Sequence, residues 1–442
     1  GKGEFQELRG DNKGNSLWKQ VNSQRHGCGG NLCPWHQQCC FIMARKELHK
    51  ADIIVVNHAL LLSDMATGNH ILPPYKYLVV DEAHNFDRTA FEKLGTSFGV
   101  EEGLRILSRL SERRSGIERG YLASLKARYP GCLKELAHSG HRVDLARQSI
   151  HGMTASGITE VFGSFGARRI KPGMEGAEKL CRGCREVAGA LRDVQRSLEE
   201  LADLMPDNEE EQTIAGLIGE VRDTANNLWV IADSLELGSD EEVVWIESEP
   251  HGLSLVAAAP LDIGAELNEL LYPGLRSLIL VSATLTVGRS FQYTKRRLGL
   301  DCLESERIRE WRSSSPFDFE RNCRTLVVRN LTEPGSSRYA ELITRCIKTI
   351  AHTVDRRTLV LFTAKSLLLQ TASLLREESP DLAERIISQY QDGDYSTLVA
   401  KLAGRPDGIL LGSETFWEGV DLPGDMLNCL VLTRLPFRPP NP

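Results

Sequence analysis

The sequence predicts an α/β protein built on mostly parallel sheets. Three apolar runs with strand character each lead directly into a polar loop: residues 77–80 into Asp81-Glu82-Ala83-His84, residues 278–281 into Ser282-Ala283-Thr284, and residues 408–411 into a loop over 412–424. In the C-terminal third, such runs alternate with stretches of helical periodicity. Alternation of strand and helix is typical of a mostly parallel sheet covered by helices.

The first polar loop places two carboxylates together, because Asp81 and Glu82 directly follow their strand. Nucleotide-hydrolysing α/β domains hold Mg²⁺ and orient a water toward a γ-phosphate with carboxylates at such a strand end. The alternative is that Asp81 is only the N-cap of a helix. The two further strand-then-loop signals favour the nucleotide site.

In this order, the three loops resemble the later motifs of DEAH-type superfamily 2 helicases. The sequence Phe-Trp-Glu-Gly-Val-Asp over residues 416–421 is similar to the corresponding motif of the iron–sulfur DinG branch, whose members are relatives of XPD. The resemblance covers nearly the whole chain. It implies two RecA-like motor domains, both incomplete, with an iron–sulfur loop and a helical arch insertion.

The resemblance also implies roles for the residues of the first two loops. Asp81 would hold the hydration shell of Mg²⁺, and Glu82 would orient or deprotonate the water that attacks ATP. His84 would connect this site to the Ser282-Ala283-Thr284 motif and so pass the nucleotide state to the DNA side.

The third loop is implied to face ATP across the cleft between the motor domains. Its implied site residues are Gly412, Glu418, Gly419 and Asp421. The two glycines suit close approach of the backbone to phosphate. The family uses a hydroxyl at the position of Thr363 on DNA phosphates, but a helix N-cap is an equal alternative. Trp417 is predicted either to stack on a base or to pack internally.

Near the N-terminus, a glycine- and proline-containing loop carries several thiols. They are Cys28, Cys33 and Cys39, with Cys40 adjacent. This spacing resembles three of the four [4Fe-4S] ligands of DinG and lacks the close Cys-x-x-Cys pairs of zinc loops. The alternatives are a zinc site completed by His26 or His36, and buried thiols that bind no metal.

Two expected motifs do not occur in the 442 residues. One is the phosphate loop Gly-x-x-x-x-Gly-Lys-Ser/Thr, and the other is the Gln-x-x-Gly-Arg-x-x-Arg segment whose arginines stabilise transition-state charge. Either the chain is a degenerate relative or it is an interior fragment of an active enzyme. The missing initiator Met and the intact first two loops favour a fragment that does not hydrolyse ATP alone.

The composition is that of an ordinary globular protein, with 41% hydrophobic and 26% charged residues and a net charge of −7. No apolar run approaches the length of a membrane span and no signal peptide is visible, which predicts a cytoplasmic protein. Residues 105–196 contain 18 Lys and Arg against 9 Asp and Glu, a surplus of +9 that opposes the sign of the whole chain. This surplus modestly favours a polyanion-facing surface over simple solvated helices.

The predicted domains are an iron–sulfur region (1–47), the first motor domain (48–90 and 242–300), a helical arch (91–241) and a truncated second motor domain (301–442). Within them we predict a helix over 41–50 and a helical hairpin from 187 to 235, with helices over 339–355 and 365–376. Further strands are predicted at 53–56, 242–246, 253–257, 325–328, 358–362 and 429–432, with none between residue 87 and about 240.

These expectations combine into an ATP-dependent, 5′-3′ DNA helicase of DinG type that acts as a monomer on single-stranded and on forked or structured DNA in repair or replication. Its cofactors would be ATP, Mg²⁺ and a [4Fe-4S] cluster. The alternatives are a translocase with little unwinding activity and a non-catalytic iron–sulfur module that binds DNA.

Overall fold

The structure is a computed structural model that describes residues 33, 35–155, 166–205, 208–238, 241–249, 252–329, 332–333, 336 and 338–437. It contains two compact units that divide between residues 311 and 312.

The described residues of the first unit form eight strands and ten α-helices. Its helices are Cys40–Leu48 (α1), His58–Ala66 (α2), Phe86–Leu94 (α3), Val100–Leu110 (α4), Tyr121–Arg128 (α5), Leu133–Ala155 (α6), Ala177–Ala202 (α7), Asn208–Leu237 (α8), Ile263–Leu270 (α9) and Gln292–Arg297 (α10). Its strands are Tyr77–Val80 (β1), Thr96–Gly99 (β2), Glu112–Arg114 (β3), Ile117–Arg119 (β4), Gly166–Ile170 (β5), Glu242–Glu249 (β6), Gly252–Pro260 (β7) and Ser277–Leu280 (β8).

Strands β1 and β8 form a two-stranded parallel sheet in which Tyr77 pairs with Ser277 and Val80 pairs with Leu280. Alternate side chains point to opposite faces of a sheet. Leu78, Val80, Leu278 and Leu280 belong to a core with helices α2, α3 and α9. This pairing aligns the carboxyl ends of both strands at one edge.

A four-stranded antiparallel sheet, in the order β2-β7-β6-β5, shares a core with helices α4 to α8. Helices α7 and α8 pack as the predicted hairpin because apolar side chains recur along both at helical spacing. Phe91 of α3 stacks on Trp245 of β6, with ring centroids 5.6 Å apart. This contact connects the sheet to the helix that follows the DEAH segment, residues 81–84.

The second unit contains a four-stranded parallel sheet in the order β10-β11-β9-β12. Its strands are Thr358–Leu361 (β9), Ile386–Ser388 (β10), Ile409–Gly412 (β11) and Cys429–Leu432 (β12), and its helices are Phe319–Asn322 (α11), Tyr339–Val354 (α12), Lys365–Glu378 (α13), Pro380–Ala383 (α14) and Tyr395–Ala403 (α15). Strands β9 and β11 are buried throughout, as expected for central strands with both faces covered. The predicted strand and helix alternation of this unit is confirmed.

Three predictions about strands were wrong. Residues 53–56 form no strand, and Ile53 and Val55 are 83% and 91% exposed. Residues 325–328 also form no strand, and Leu326 is 90% exposed. Both runs have strand composition, but a strand also needs a neighbour to pair its backbone groups, and neither run has one among the described residues. Conversely, the span predicted to lack strands contains β2, β3, β4 and β5.

Within the described ranges, none of the helices combines the length and apolar character needed to cross a bilayer.

Candidate functional site

The DEAH segment and the Ser282 motif lie side by side at the carboxyl edge of the two-stranded sheet. The parallel pairing continues beyond the strands, since the amide of Val281 donates to the carbonyl of Val80 at 2.8 Å and the amide of Ala83 donates to the carbonyl of Val281 at 3.0 Å. Two segments that are distant in sequence therefore meet within a few ångströms.

A hydrogen bond joins the two loops directly. His84 Nδ1 lies 2.8 Å from Ser282 Oγ, and Asn85 Nδ2 lies 3.0 Å from His84 Nε2. Because an amide nitrogen only donates, Nε2 of a neutral His84 is the acceptor and Nδ1 carries the proton. Nδ1 therefore donates to Ser282 Oγ, which also accepts from the amide of Thr284 at 3.3 Å.

Glu82 is exposed and lies in the left-handed region, at φ 47° and ψ 43°. This conformation is unfavourable for a residue with a Cβ and costs on the order of 1–2 kcal/mol. Glu82 Oε2 lies 3.3 Å from His84 Nδ1. The strained backbone thus keeps the Glu82 carboxylate beside the imidazole that contacts Ser282.

Asp81 is also exposed at this edge. Its Oδ1 accepts from the amide of Glu82 at 2.9 Å, and its main-chain carbonyl accepts from His58 Nε2 at 2.8 Å. No helix uses Asp81 as an N-cap, because the following 3-10 helix, Ala83–Asn85, begins after Glu82. The N-cap alternative was therefore wrong. Adjacent carboxylates open to solvent are the oxygen ligands that Mg²⁺ prefers.

Two supporting residues were missed by the sequence analysis. His58 anchors the Asp81 carbonyl and contacts the edge of the Phe86 ring, with centroids 5.4 Å apart. Asn85 sets the tautomer of His84. The signal for His58 was its position two residues after the apolar run 53–56. For Asn85 the signal was that it directly follows His84.

In the second unit, the third loop begins inside the sheet. Gly412 is the last residue of β11, and a Cβ at this position would lie 2.8 Å from the Phe416 side chain. Gln389, which follows β10, accepts from the Ser413 amide at 2.6 Å and donates to Thr415 Oγ1 at 2.9 Å. The start of the loop is therefore fixed to the end of a neighbouring strand.

The other predicted residues of this unit differ in their surroundings. Trp417 donates from Nε1 to the carbonyl of Phe362 at 3.0 Å and packs partly on the core, so it has the predicted packing role. Thr363 is exposed and is not an N-cap, since α13 has Ala364 there. Glu418, Gly419 and Asp421 are exposed, with Gly419 at φ +72°. Their contacts with nucleotide or DNA stay predictions.

The cysteine region is only partly described, and Cys28 and His26 lie outside the described residues. Cys33, Cys39 and Cys40 are partly buried and form no disulfide, and Cys39 directly precedes α1. Among the described residues, no three His, Cys, Asp or Glu side chains are close enough to hold a metal ion. The described thiols therefore do not form a metal centre by themselves.

Many cations of the basic stretch 105–196 already pair with carboxylates. Arg109 contacts Glu220 at 2.5 Å, Arg142 contacts Asp193 at 3.3 Å, and Arg185 contacts Asp233 at 2.9 Å. Such pairs neutralise part of the surplus charge, and a DNA-facing role of this stretch stays a prediction.

Two family models match the chain. DEAD_2 matches residues 30–102, which include Asp81, Glu82 and His84, and Helicase C-terminal domain matches residues 347–442, which include the third loop. The "ATP-dependent DNA helicase DinG" of Photobacterium profundum is 28% identical over 448 residues, which cover 96% of this chain and 63% of that protein.

The chain is a homologue of the DinG-type helicases. The "3'-5' exonuclease DinG" of Bacillus subtilis is 27% identical over 99% of this chain and 49% of its own length. The "ATP-dependent DNA helicase YoaA" of Escherichia coli is 24% identical over 96% and 61%. A solved structure, that of S. tokodaii Xpd4, aligns with 83% of this chain and 60% of its own at 13% identity and a TM-score of 0.41.

The chain spans about half to two thirds of the length of these DinG-type relatives, between 49% and 63%. The two matched ranges contain the DEAH segment and the third loop, whereas Ser282 lies outside both. The hydrogen bond from His84 to Ser282 is therefore what relates the Ser282 motif to the matched DEAH segment.

Proposed function

We propose that this chain is the motor region of an ATP-dependent DNA helicase of DinG type that moves 5′ to 3′ along single-stranded DNA. The observation that carries the proposal is the hydrogen bond between His84 and Ser282 at the edge where Asp81 and Glu82 are exposed. In this proposal the hydrogen bond couples the carboxylate pair to the Ser282 motif.

In this proposal Asp81 holds Mg²⁺ and Glu82 orients the water that attacks the γ-phosphate. A change at Glu82 during turnover reaches His84 through the 3.3 Å contact and Ser282 through the 2.8 Å hydrogen bond. In the second unit, Glu418 and Asp421, with the backbone of Gly412 and Gly419, are proposed to contact nucleotide, and the hydroxyl of Thr363 is proposed to bind a DNA phosphate.

The protein is further proposed to carry a [4Fe-4S] cluster on Cys28, Cys33 and Cys39, with Cys40 as a further thiol. The support is the spacing of the thiols and the similarity to DinG proteins, since thiolates are the usual ligands of such clusters. Anaerobic purification followed by iron and sulfide analysis tests this assignment. Zinc without iron would overturn it.

The proposed partners are single-stranded DNA and forked or structured DNA, met during repair or replication by a cytoplasmic monomer. Residues 105–196 are proposed to line the DNA path in the arch, through those cations that do not pair with carboxylates.

ATP hydrolysis by the full-length gene product, with and without single-stranded DNA, tests the function. The 442 residues contain no phosphate loop, so the full-length product is the proper sample. We expect Glu82→Gln to abolish DNA-stimulated turnover, whereas Glu101→Gln, an exposed change on α4, leaves it intact. Displacement of a strand from a 5′-tailed but not a 3′-tailed duplex tests the polarity. A silent wild-type protein would contradict the proposal.

A further inference from the structure

An exposed aromatic and basic pair lies at the carboxyl edge of the second unit's sheet, outside the motifs discussed above. Tyr390 follows β10 and is 46% exposed, and Lys365 Nζ lies 4.6 Å from the centroid of its ring. Lys365 opens α13 two residues after Thr363. Ligands bind at the carboxyl ends of the strands in open α/β sheets.

Hydrogen bonds within the second unit fix the orientation of the Tyr390 ring without a bound ligand. Its hydroxyl lies 2.7 Å from Ser413 Oγ, and the buried Ser413 is itself held by Gln389. The backbone of Tyr390 is in the left-handed region at φ 75°, which is unusual for a residue with a bulky side chain. A strained backbone and a hydrogen-bonded hydroxyl together keep an aromatic surface toward solvent, and such strain is typical of binding sites.

The Lys365 ammonium is available to an anion. Among the described residues, no carboxylate lies within salt-bridge distance of it, and it is exposed. Thr363 and Thr415 are exposed residues along the same edge, after β9 and β11. An aromatic face beside an unpaired cation and hydroxyl donors is the combination with which proteins bind single-stranded nucleic acid.

We propose that Tyr390 and Lys365 form a contact site for single-stranded DNA, in which a nucleobase stacks on Tyr390 and the adjacent phosphodiester binds the Lys365 ammonium. Gln389 is a positioning residue that holds Ser413 and thereby the Tyr390 hydroxyl. The inference rests on the proposed function, because it names residues that would hold the DNA on which the motor acts.

The test is fluorescence anisotropy of a labelled oligothymidylate titrated with the 442-residue chain and with the full-length gene product. Loss of a base stack weakens binding by about 5- to 150-fold, so Tyr390→Leu should raise the Kd by that factor. Tyr390→Phe keeps the ring and should weaken binding by at most about tenfold. Tyr293→Leu, an exposed tyrosine of the first unit, is the matched control and should bind as wild type.

The salt dependence of the binding constant distinguishes the role of Lys365 from that of Tyr390. Each phosphate contact contributes a slope of about −0.7 to log K against log salt for single strands, so Lys365→Gln should reduce the slope by about 0.7. Lys365→Arg should restore the slope, and Tyr390→Leu should leave it unchanged.

The outcomes distinguish failure of the contact site from failure of the proposed helicase function. Wild-type affinity and slope in every variant would overturn the contact site while leaving the helicase proposal standing. An equal loss in Tyr390→Phe and Tyr390→Leu would show that the ring does not stack and would also overturn it. If the unaltered full-length protein binds no oligothymidylate, the proposed function fails and this inference fails with it.

Discussion

His84 Nδ1 lies 2.8 Å from Ser282 Oγ although the two residues are 198 positions apart in the chain. The hydrogen bond joins the loops that follow the two strands of the parallel pair. It therefore contributes to the stability of the first unit as well as to any coupling between the two motifs.

A double-mutant cycle measures this coupling. The net contribution of such a hydrogen bond is about 0.5–1.5 kcal/mol, so His84→Ala and Ser282→Ala should be non-additive by that amount in the free energy of unfolding. Urea denaturation of the chain provides the measurement. The cycle of His84→Ala with Ser305→Ala, an exposed residue of the 3-10 helix Ser305–Arg307, serves as the control. Full additivity of the first cycle would show that the bond contributes nothing.

Arg357 should be a major determinant of stability in the second unit. Its guanidinium donates to the carbonyls of Leu402, Ala403, Arg405 and Asp425 at 2.8 to 3.0 Å. The carbonyls of Leu402 and Arg405 also accept from the amides of Arg405 and Gly408, at 3.2 and 3.3 Å, and the hydrogen bonds to Ala403 and Asp425 are exposed to solvent. The two part-buried hydrogen bonds therefore contribute most, each about 0.5–1.5 kcal/mol, and we expect Arg357→Ala to destabilise the unit by about 1–3 kcal/mol in total.

The neighbouring residue is the matched control for that measurement. Arg356 is exposed and its side chain makes no hydrogen bond or ion pair with the described residues. Arg356→Ala should shift the urea midpoint little, and a shift equal to that of Arg357→Ala would contradict the role given to Arg357.

Gly412→Ala should destabilise the start of the third loop. The new Cβ would lie 2.8 Å from the Phe416 side chain, which is buried and has little space to move. Overpacking of this kind costs about 1–3 kcal/mol. Thermal unfolding followed by circular dichroism measures the change. Gly404→Ala makes only ordinary contacts and should be nearly neutral.

Cys184 should be inert in the native protein, whereas exposed thiols react. It is fully buried, and burial, with a further contribution from Cys181, raises the pKa of its thiol to about 12. In titrations with a thiol-specific disulfide reagent, Cys302 and Cys323 should react at once and Cys184 only after unfolding.

The same shift predicts a pH dependence of stability. The thiol is neutral in both states below its unfolded pKa of about 8.5, and above that value only the unfolded chain releases the proton. Stability should therefore fall as pH rises from there toward about 12, by up to about 1.4 kcal/mol per pH unit. Cys184→Ala should remove this component of the slope, and Cys302→Ala should not.

The sequence predicted some strands correctly and missed others. The strands 77–80 and 429–432 were placed correctly because their apolar runs are bounded by polar loops. Residues 53–56 have equal strand composition yet form no strand, because pairing depends on a neighbour that composition does not reveal. The strand Gly166–Ile170 was missed for the opposite reason, since it contains two arginines and little β-branched character.

Contacts between separate loops could also not be predicted from the local sequence pattern. The side chain of Gln389 lies next to Ser413 only because strands β10 and β11 are neighbours, which no local signal showed. The left-handed backbone of Tyr390 likewise follows from tertiary context, since tyrosine has no preference for it.

Under the proposed function, Glu82 combines an unfavourable backbone conformation with a carboxylate that takes part in the chemistry. At φ 47° glycine or asparagine would adopt this backbone conformation at a lower energy than glutamate does. A library randomised at this position and sorted for resistance to heat should therefore enrich Gly and Asn, whereas the same library sorted for ATP turnover should return Glu. If the two selections enrich different residues, position 82 is one at which the natural residue lowers stability and supports the activity of the motor.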